Sequence, residues 1–395
     1  MANNNENKVL NFPPLRFPEF TEEWQKCIIK DYGEVVTGNT PPTNNAEYYN
    51  NGSYLWASPA DLGMNKMIVD TKTKLSLGGF KKTRAIPKGG ILVTCIGSTI
   101  GKMGMAVETM SSNQQINSII VNEKSNNDFV YYAISCAFPR YLSEVGVQAV
   151  PILSKSNFEK LPNYTTSRKE QNKIGYFLNL LDERIATQNK IIEKLQSLIK
   201  GIGDKLLFNE EWPSVRLCDI LIERVEKSKN NNQYEVLSSS VKGIYSQREY
   251  FSKDIASENN IGYKVIYLHD IVLSPQNLWM GNINYNDRFK VGIVSPSYKT
   301  YKISPKFDRC FIASILKTHR ALYNYMLASE QGASIVRRNL NTEAFEQITF
   351  KIPSYEQQIK IGYLLSCLQK QLEIANCIKR TYNKQKQYLL KNLFI

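Results

Sequence analysis

Residues 167–208 read SRKEQNKIGYFLNLLDERIATQNKIIEKLQSLIKGIGDKLLF. A spacing of alternately four and three residues from Ile174 gives Leu178, Leu181, Ile185, Gln188, Ile192, Leu195, Ile199, Ile202 and Leu206, and all but Gln188 are apolar. Such a stripe predicts a long helix with a coiled-coil seam, because 3.5 residues per repeat keeps one narrow face toward a partner. Ser167 with Glu170 three residues on has the pattern of a capping box, in which the Ser oxygen accepts from an early backbone N–H and the acid reaches back. At 1.5 Å per residue, the stretch Ile174 to Leu206 spans roughly 50 Å, the length of a rod. Gly201 and Gly203 are expected to bend or loosen its last turns.

The same signal returns near the C-terminus. Residues 354–365 read SYEQQIKIGYLL, again with a Ser and, three residues later, an amide, Gln357. The second stripe runs Ile361, Leu365, Leu368, Leu372, Ala375, Lys379, Tyr382, Lys386, Leu389 and Leu393. Lysine stems can lie along apolar surface with the charge at its edge, so the two lysines do not abolish the stripe. Working outward, KIGYFL at 173 and KIGYLL at 360 are 187 apart, as are Phe158-Glu159 and Phe345-Glu346. SEVG at 143 and SEQG at 329 are 186 apart, and Glu23-Trp24 with Asp31 matches Glu211-Trp212 with Asp219 at 188. GGILVT before Gly101-Lys102 resembles HDIVLS before Gly281-Asn282, 180 apart. Matches in one order at a near-constant offset indicate a duplication. The chain reads as a globular unit, a helix, and the pair again, and two equal helices can bury their stripes on each other.

The globular parts carry short β-rich runs, Ile91 to Ile96, Ile116 to Val121, Val265 to Leu268 and Ile271 to Ser274, between Gly, Pro, Asn and Ser clusters. Helical patterns cover Asn127 to Phe138 and Ile312 to Ala328. The fold class is therefore α+β: two mixed α/β domains separated by two long antiparallel helices, with a pseudo-two-fold internal repeat. Trp24 and Trp212 are expected to be core anchors.

Over 395 residues, 50 Lys and Arg against 36 Asp and Glu leave a net charge of +14. That excess points to a polyanion, nucleic acid ahead of a membrane surface. Only two histidines, His269 and His319, argue against a His-ligated metal site. The seven cysteines contain no Cys-x-x-Cys pair, and MANNNENK at the start lacks a secretory apolar core, so reduced thiols in a cytoplasmic protein are expected. The longest apolar runs, such as GGILVTCIG at 89–97, fall short of the ~20 residues of a membrane span.

Catalytic patterns fail in turn. Asn11-Phe12-Pro13-Pro14 and Asn39-Thr40-Pro41-Pro42 do not fit the Asn/Asp-Pro-Pro-aromatic motif of amino-methyltransferases. Gly97-x3-Gly101-Lys102 lacks the spacing and the hydroxyl of a P-loop. Asp61 with Asp70-Thr71-Lys72 is a loose match to a metal-dependent nuclease, of a kind that arises by accident in Lys-rich chains. No Gly-x-Ser-x-Gly elbow occurs. The composition is that of a binder.

With these residues in hand, the chain resembles the specificity (S) subunits of type I restriction–modification systems. The resemblance rests on LRFPEFTEEWQKCIIKDYGEVVTG and NEEWPSVRLCDILIE as domain openings, and on IPKGGILVTCIGSTIGKMG, VLSSSVKGIYSQREYFSKD, YKVIYLHDIVLSP and IVSPSY as domain interiors. It rests equally on the two helical segments quoted above. It implies target-recognition domains at 12–165 and 209–352, and helical spacers at 166–208 and 353–395. Each domain would read one half of a bipartite site on double-stranded DNA, with the helices as a ruler. No catalysis is implied, and no cofactor in this chain. Two modification (M) subunits would bind S-adenosylmethionine and methylate adenine, and restriction (R) subunits would use ATP and Mg to translocate and cut. Outside the framework matches the two globular units differ, so the target is expected to be asymmetric.

Base edges are read by side chains that offer paired donors and acceptors, whereas phosphates are held by cations. In the first domain Lys81, Lys82 and Arg84 are expected to face phosphate, with Ser98 and Lys102 on a Gly-rich loop that admits backbone to DNA, and Gln114, Gln115 and Asn117 to face bases. In the second, Ser238, Ser239, Ser240, Lys242, Tyr245, Gln247, Gln276, Asn277, Trp279, Arg337 and Arg338 are the analogous candidates. The helix seam is assigned to Ile174, Leu178, Leu181, Ile185, Ile192, Leu195, Ile361, Leu365, Leu368, Leu372 and Leu389. Two other classes fit the composition: a stand-alone nuclease or methyltransferase with unrecognised motifs, and a coiled-coil adaptor for RNA or acidic proteins. Methyl transfer by the purified chain alone would select the first of these. Specific methylation that appears only with an M subunit would reject the second.

Overall fold

The computed structural model describes residues 11–145, 152–247, 259–331 and 338–395. The chain divides into two compact units, the first formed by residues 1–188 and 378–395 and the second by 189–377. Both 39-residue helices, Arg168–Leu206 and Tyr355–Leu393, therefore contribute to both units. The first helix continues through Gly201 and Gly203 without a break, against the expected loosening.

The first unit is built on a five-stranded sheet, in spatial order Gly33–Thr37, Ile116–Val121, Ile91–Thr94, Met103–Ala106 and Met67–Ile68. Val35 lies opposite Ile119, which lies opposite Ile91, which lies opposite Met105. A separate pair, Gln25–Ile28 against Pro162–Thr165, ties the start of the domain to the residues just before the long helix. The second unit repeats this frame. Its sheet runs Leu221–Glu223, Lys299–Ile303, Ile271–Leu273 and Ile283–Tyr285, all antiparallel, and Ser214–Arg216 pairs with Thr349–Lys351. The resemblance between GGILVT and HDIVLS thus marks the same strand of the same sheet.

Outside that frame the units diverge. The first adds a small sheet of Thr73–Leu75, Tyr54–Ala57 and Ser111–Ser112. The second adds four strands in the order Gly243–Ser246, Val236–Ser240, Val291–Val294 and Lys264–Tyr267. The helical pattern expected at Ile312 to Ala328 is two helices, Arg309–Ile315 and His319–Leu327. Thr318 ends the first run by capping the second, its hydroxyl accepting from Ala321 N–H.

Each stripe is buried against more than a helix. In the first unit Ile174, Leu178 and Leu181 share one core with Trp24, Ile91, Ile119 and Phe129 and with Leu389, Leu393 and Phe394. The two helical segments run antiparallel there, since Tyr382 lies beside Thr187 and Gln188 while Lys386 pairs with Asp182 at 2.5 Å. In the second unit Ile202 and Leu207 share a core with Ile361, Leu365, Phe311 and Phe345. Ile185, Leu195, Leu368 and Leu372 are half-buried; Ile192, Ala375 and Leu389 are buried. The stripes thus serve as domain core at one end, where each fully buried aliphatic side chain contributes about 1.5–3 kcal/mol. Trp24 is fully buried in this core, whereas Trp212 is half-buried, packed edge-on to Phe311 at 6.4 Å.

The helix starts correct one expectation. Glu170 does not return to the Ser167 N–H. It is fully buried, and its carboxylate takes a bidentate pair from Arg16 (2.7 and 2.7 Å), the Trp24 Nε1–H (3.2 Å) and the Thr166 hydroxyl. The duplicated side-chain contact at the helix starts is made by the next residue. Gln171 accepts from Asn126 N–H at 2.8 Å and donates to the Thr166 carbonyl, while Gln358 accepts from Asp308 N–H at 2.9 Å and donates to the Pro353 carbonyl.

Candidate nucleic-acid interface

In the first unit the loop after strand Gly33–Thr37 gathers three of the expected residues, Lys82, Arg84 and Gln114, but not Lys81, Ser98 or Lys102. Asn39 donates to the Lys82 carbonyl (2.8 Å) and accepts from Arg84 N–H (2.9 Å), and the Arg84 guanidinium donates to the Thr37 carbonyl (2.7 Å). Thr40 donates to Gln114 Oε1 at 2.5 Å, and Asn113 donates to Gln115 Oε1 at 3.0 Å. The two groups expected to face phosphate and base are therefore joined through Thr37–Thr40. Gly38 lets the loop lie on the sheet: a Cβ there would stand 2.2 Å from the Asn113 carbonyl oxygen. Lys81, Lys82, Arg84, Ser98, Lys102 and Gln114 are exposed.

Asn117 is corrected. It is buried within strand Ile116–Val121, and its Oδ1 accepts from the Thr37 hydroxyl at 2.7 Å, so it supports the loop and cannot meet a base. The glycines of the Ser98 turn also have a local reason. Gly97 and Gly101 have φ of 97° and 90°, and a Cβ on Gly101 would stand 2.6 Å from the Phe138 ring.

In the second unit the candidates meet around the hairpin Val236–Ser240/Gly243–Ser246, where Ser238 lies opposite Tyr245. Gln247 donates to the Ser238 hydroxyl at 3.1 Å, and its Oε1 is buried without a partner among the described residues. At the tip Lys242 is exposed; its N–H donates to Ser240 Oγ, and its carbonyl accepts from the Tyr245 hydroxyl. The tip lies beside the turn that holds Gln276, Asn277 and Trp279, since a Cβ on Gly281 would come within 4.0 Å of Val241. Arg338 stands 4.9 Å over the Trp279 ring, and its N–H donates to the Gln276 carbonyl at 3.2 Å. The Trp279 Nε1–H is buried and has no hydrogen-bond partner among the described residues. Arg337 lies outside the described residues.

Ser239 is the second correction. It is buried, donating to Asn282 Oδ1 and accepting from Asn284 Nδ2, both at 2.7 Å, while Lys317 Nζ donates to Asn284 Oδ1 at 2.5 Å. Sequence reasoning missed Thr37, Asn39, Thr40 and Asn113 in one unit and Asn282, Asn284 and Lys317 in the other. A signal existed for two of them: Asn282 and Asn284 alternate along a strand, which puts both on one face.

Among the described residues no group of three or more His, Cys, Asp and Glu is placed to hold a metal ion, and no helix is long and apolar enough to cross a membrane. What the geometry offers is exposed cations beside amides with fixed hydrogen-bond partners, once in each unit.

Residues 21–197 match the family model of the type I restriction modification DNA specificity domain. The type I restriction enzyme MjaIX specificity subunit of Methanocaldococcus jannaschii is 27% identical over 282 residues, covering 65% of this chain and 64% of that protein, so the match spans under two thirds of that relative. The MjaVIII specificity subunit of the same organism is 22% identical over 425 residues, covering 98% of this chain and 95% of the relative. In fold, the chain is similar to the crystal structure of a type I restriction–modification S subunit from M. genitalium, with a TM-score of 0.67, 16% identity, and coverage of 97% and 99% of the two chains. The chain is thus similar in sequence to type I restriction–modification specificity subunits, and its residues 21–197 match their DNA specificity domain.

Proposed function

We propose that this chain is the DNA sequence-recognition subunit of a type I restriction–modification enzyme and performs no chemistry itself. The observation that carries the reading is one strand frame built twice and fitted each time with a different second sheet, with Lys82, Arg84 and Gln114 on loops of one unit, and in the other Lys242 and Gln247 flanking an edge strand of that sheet and Arg338 on a separate strand pair. Unlike surfaces on like frames suit two unlike half-sites. Lys81, Lys82, Arg84, Lys102 and Lys242 would neutralise phosphates, the salt-dependent and sequence-blind share of affinity. Gln114, Gln115, Gln247 and Gln276 would read base edges, the first three with amides oriented by neighbouring hydrogen bonds. The long helices would fix the half-site spacing and recruit two M subunits, which would supply S-adenosylmethionine and adenine methylation. R subunits would supply the ATP- and Mg-dependent cutting.

The test is methylation mapping in cells that express an M subunit with and without this chain. Adenine methylation confined to one asymmetric bipartite motif and dependent on both proteins is the expected result. Methyl transfer by the purified chain alone, or methylation without a motif, would refute it.

A further inference from the structure

We propose that Lys66 is a positioning residue that locks the first reading domain onto the long helices in one rotational register, and that this register sets how sharply spacer length is discriminated. The inference rests on the DNA-reading function above.

Lys66 precedes strand Met67–Ile68, and its carbonyl accepts from Met105 N–H at 2.7 Å, so its backbone is fixed to the sheet. Its side chain is only 7% exposed. The ammonium donates to Asp128 Oδ1 (2.6 Å) and the Tyr132 hydroxyl (3.1 Å) on the domain's own helix, and to Asn179 Oδ1 (3.1 Å) on the first long helix. The Tyr132 hydroxyl passes the chain on, donating to Asp182 Oδ2 at 2.6 Å, and Asp182 pairs with Lys386 of the second long helix at 2.5 Å. Both ammonium groups also lie over the Tyr132 ring, at 4.4 and 5.6 Å from its centroid. Two cations and two carboxylates leave the cluster neutral. Burial pulls the Lys66 pKa down and Asp128 opposes that shift, while burial and Asp182 push the Tyr132 pKa far up, so the phenol keeps its proton as a donor.

The apolar contacts at the same joint, through Leu178 and Leu181, are non-directional and tolerate a small rotation. An ammonium has three donors in tetrahedral directions, and here all three are used, on two helices, by a side chain whose backbone is tied to the sheet, so rotation breaks bonds in a buried site. Among the described residues of the second unit, the matching positions on the helices carry no charge. Its helix cap Asp308 plays the part of Asn126, which places Cys310 and Ser314 where the first unit has Asp128 and Tyr132, and Gln369 falls 187 residues after Asp182.

Two measurements test this, using the chain in complex with its M subunit. Spin labels introduced as unnatural amino acids at Glu108 and Arg184 report the joint without DNA. Selection from a library of half-sites at varied spacing reports function. One base pair of spacer shifts a half-site by about 3.4 Å. Lys66→Met and Tyr132→Phe should broaden the spin–spin distance distribution, and preference for the best spacer over its neighbours should fall from about tenfold to about twofold, with both half-site sequences retained. Val35→Ala, a core truncation in the same unit, should lower the melting temperature and leave spacer preference intact. An unchanged distance distribution in both variants would overturn the lock, and a broadened one with undiminished spacer preference would overturn its role. A broadened distribution in a complex whose wild type prefers no bipartite motif would instead refute the DNA-reading function and leave the lock standing.

Discussion

Gly175 and Gly362 sit inside long helices, where glycine costs about 1 kcal/mol relative to alanine. Their place in the duplicated KIGY string was plain from the sequence, but the reason for glycine was not. A Cβ on Gly175 would stand 2.6 Å from Asn126 Oδ1 and 3.1 Å from Phe129 N; on Gly362 it would stand 2.4 Å from Asp308 Oδ1 and 2.5 Å from Phe311 N. In each unit the long helix thus presses its backbone onto the capped start of a domain helix. Gly175→Ala and Gly362→Ala should destabilise by about 1–3 kcal/mol in denaturant unfolding, because backbone must move. Gly201, with nothing within 4 Å of a new Cβ, is the control: Gly201→Ala should stabilise by up to about 1 kcal/mol. Glu170 shows the limit of local reading. Its spacing from Ser167 predicted a two-way cap, and Ser167 Oγ does accept from Glu170 N–H at 3.4 Å, but Arg16, 154 residues away, takes the carboxylate, and no local pattern reports such a contact. With Arg16 only 12% exposed and Glu170 fully buried, Arg16→Met should cost about 3–5 kcal/mol, and Glu170→Gln added to it should restore part of the loss.

Among elements, those with a period were legible and those made by distant pairing were not. The 4-3 stripe located both long helices because burial on one face imposes a spacing that survives in a single sequence. Strands such as Ile91–Thr94 and Ile116–Val121 could be placed within a few residues, whereas their order in the sheet, which joins residues 33–37 to 116–121, has no local mark. The site divides in the same way. Exposed Lys81, Lys82 and Lys242 needed only composition, while the burial of Asn117 and Ser239 depends on which strand lies beside them. A consequence at this scale concerns the turn after helix Leu77–Phe80, where Lys81 and Lys82 stand exposed. Replacing both by Gln should reduce the slope of log affinity against log salt by about 2 while leaving the preferred motif unchanged. Gln114→Ala should do the reverse, relaxing the motif at one position with the salt slope retained. Binding isotherms at several salt concentrations on matched and mismatched duplexes would separate the two.

At the scale of the whole chain, each of the two compact units holds its own large hydrophobic core, so unfolding need not be a single step. Their buried thiols make the steps respond differently to alkali. The first core region holds Cys95 and Cys136, both pushed up to about 12 by burial, and Cys27, raised to about 11. In the second, Cys310 is raised less and stands only half-buried. A thiol whose folded pKa lies above its ordinary 9.0 contributes stability that is complete below pH 9 and is lost as pH rises toward the folded value, because the unfolded chain releases the proton first. Between pH 9 and 10 Cys95 and Cys136 should each remove about 1 kcal/mol from the first unit, added to the fall that buried phenols with raised pKa bring to both units as pH nears 10. Calorimetry at pH 7.5, 9 and 10 should therefore show one transition falling faster than the other. Cys95→Ala should slow that fall by the share of one thiol despite lowering stability at pH 7.5. Two transitions that move together with pH, or an unaltered slope in Cys95→Ala, would mean that the units do not unfold independently or that the thiol is not held protonated by the core.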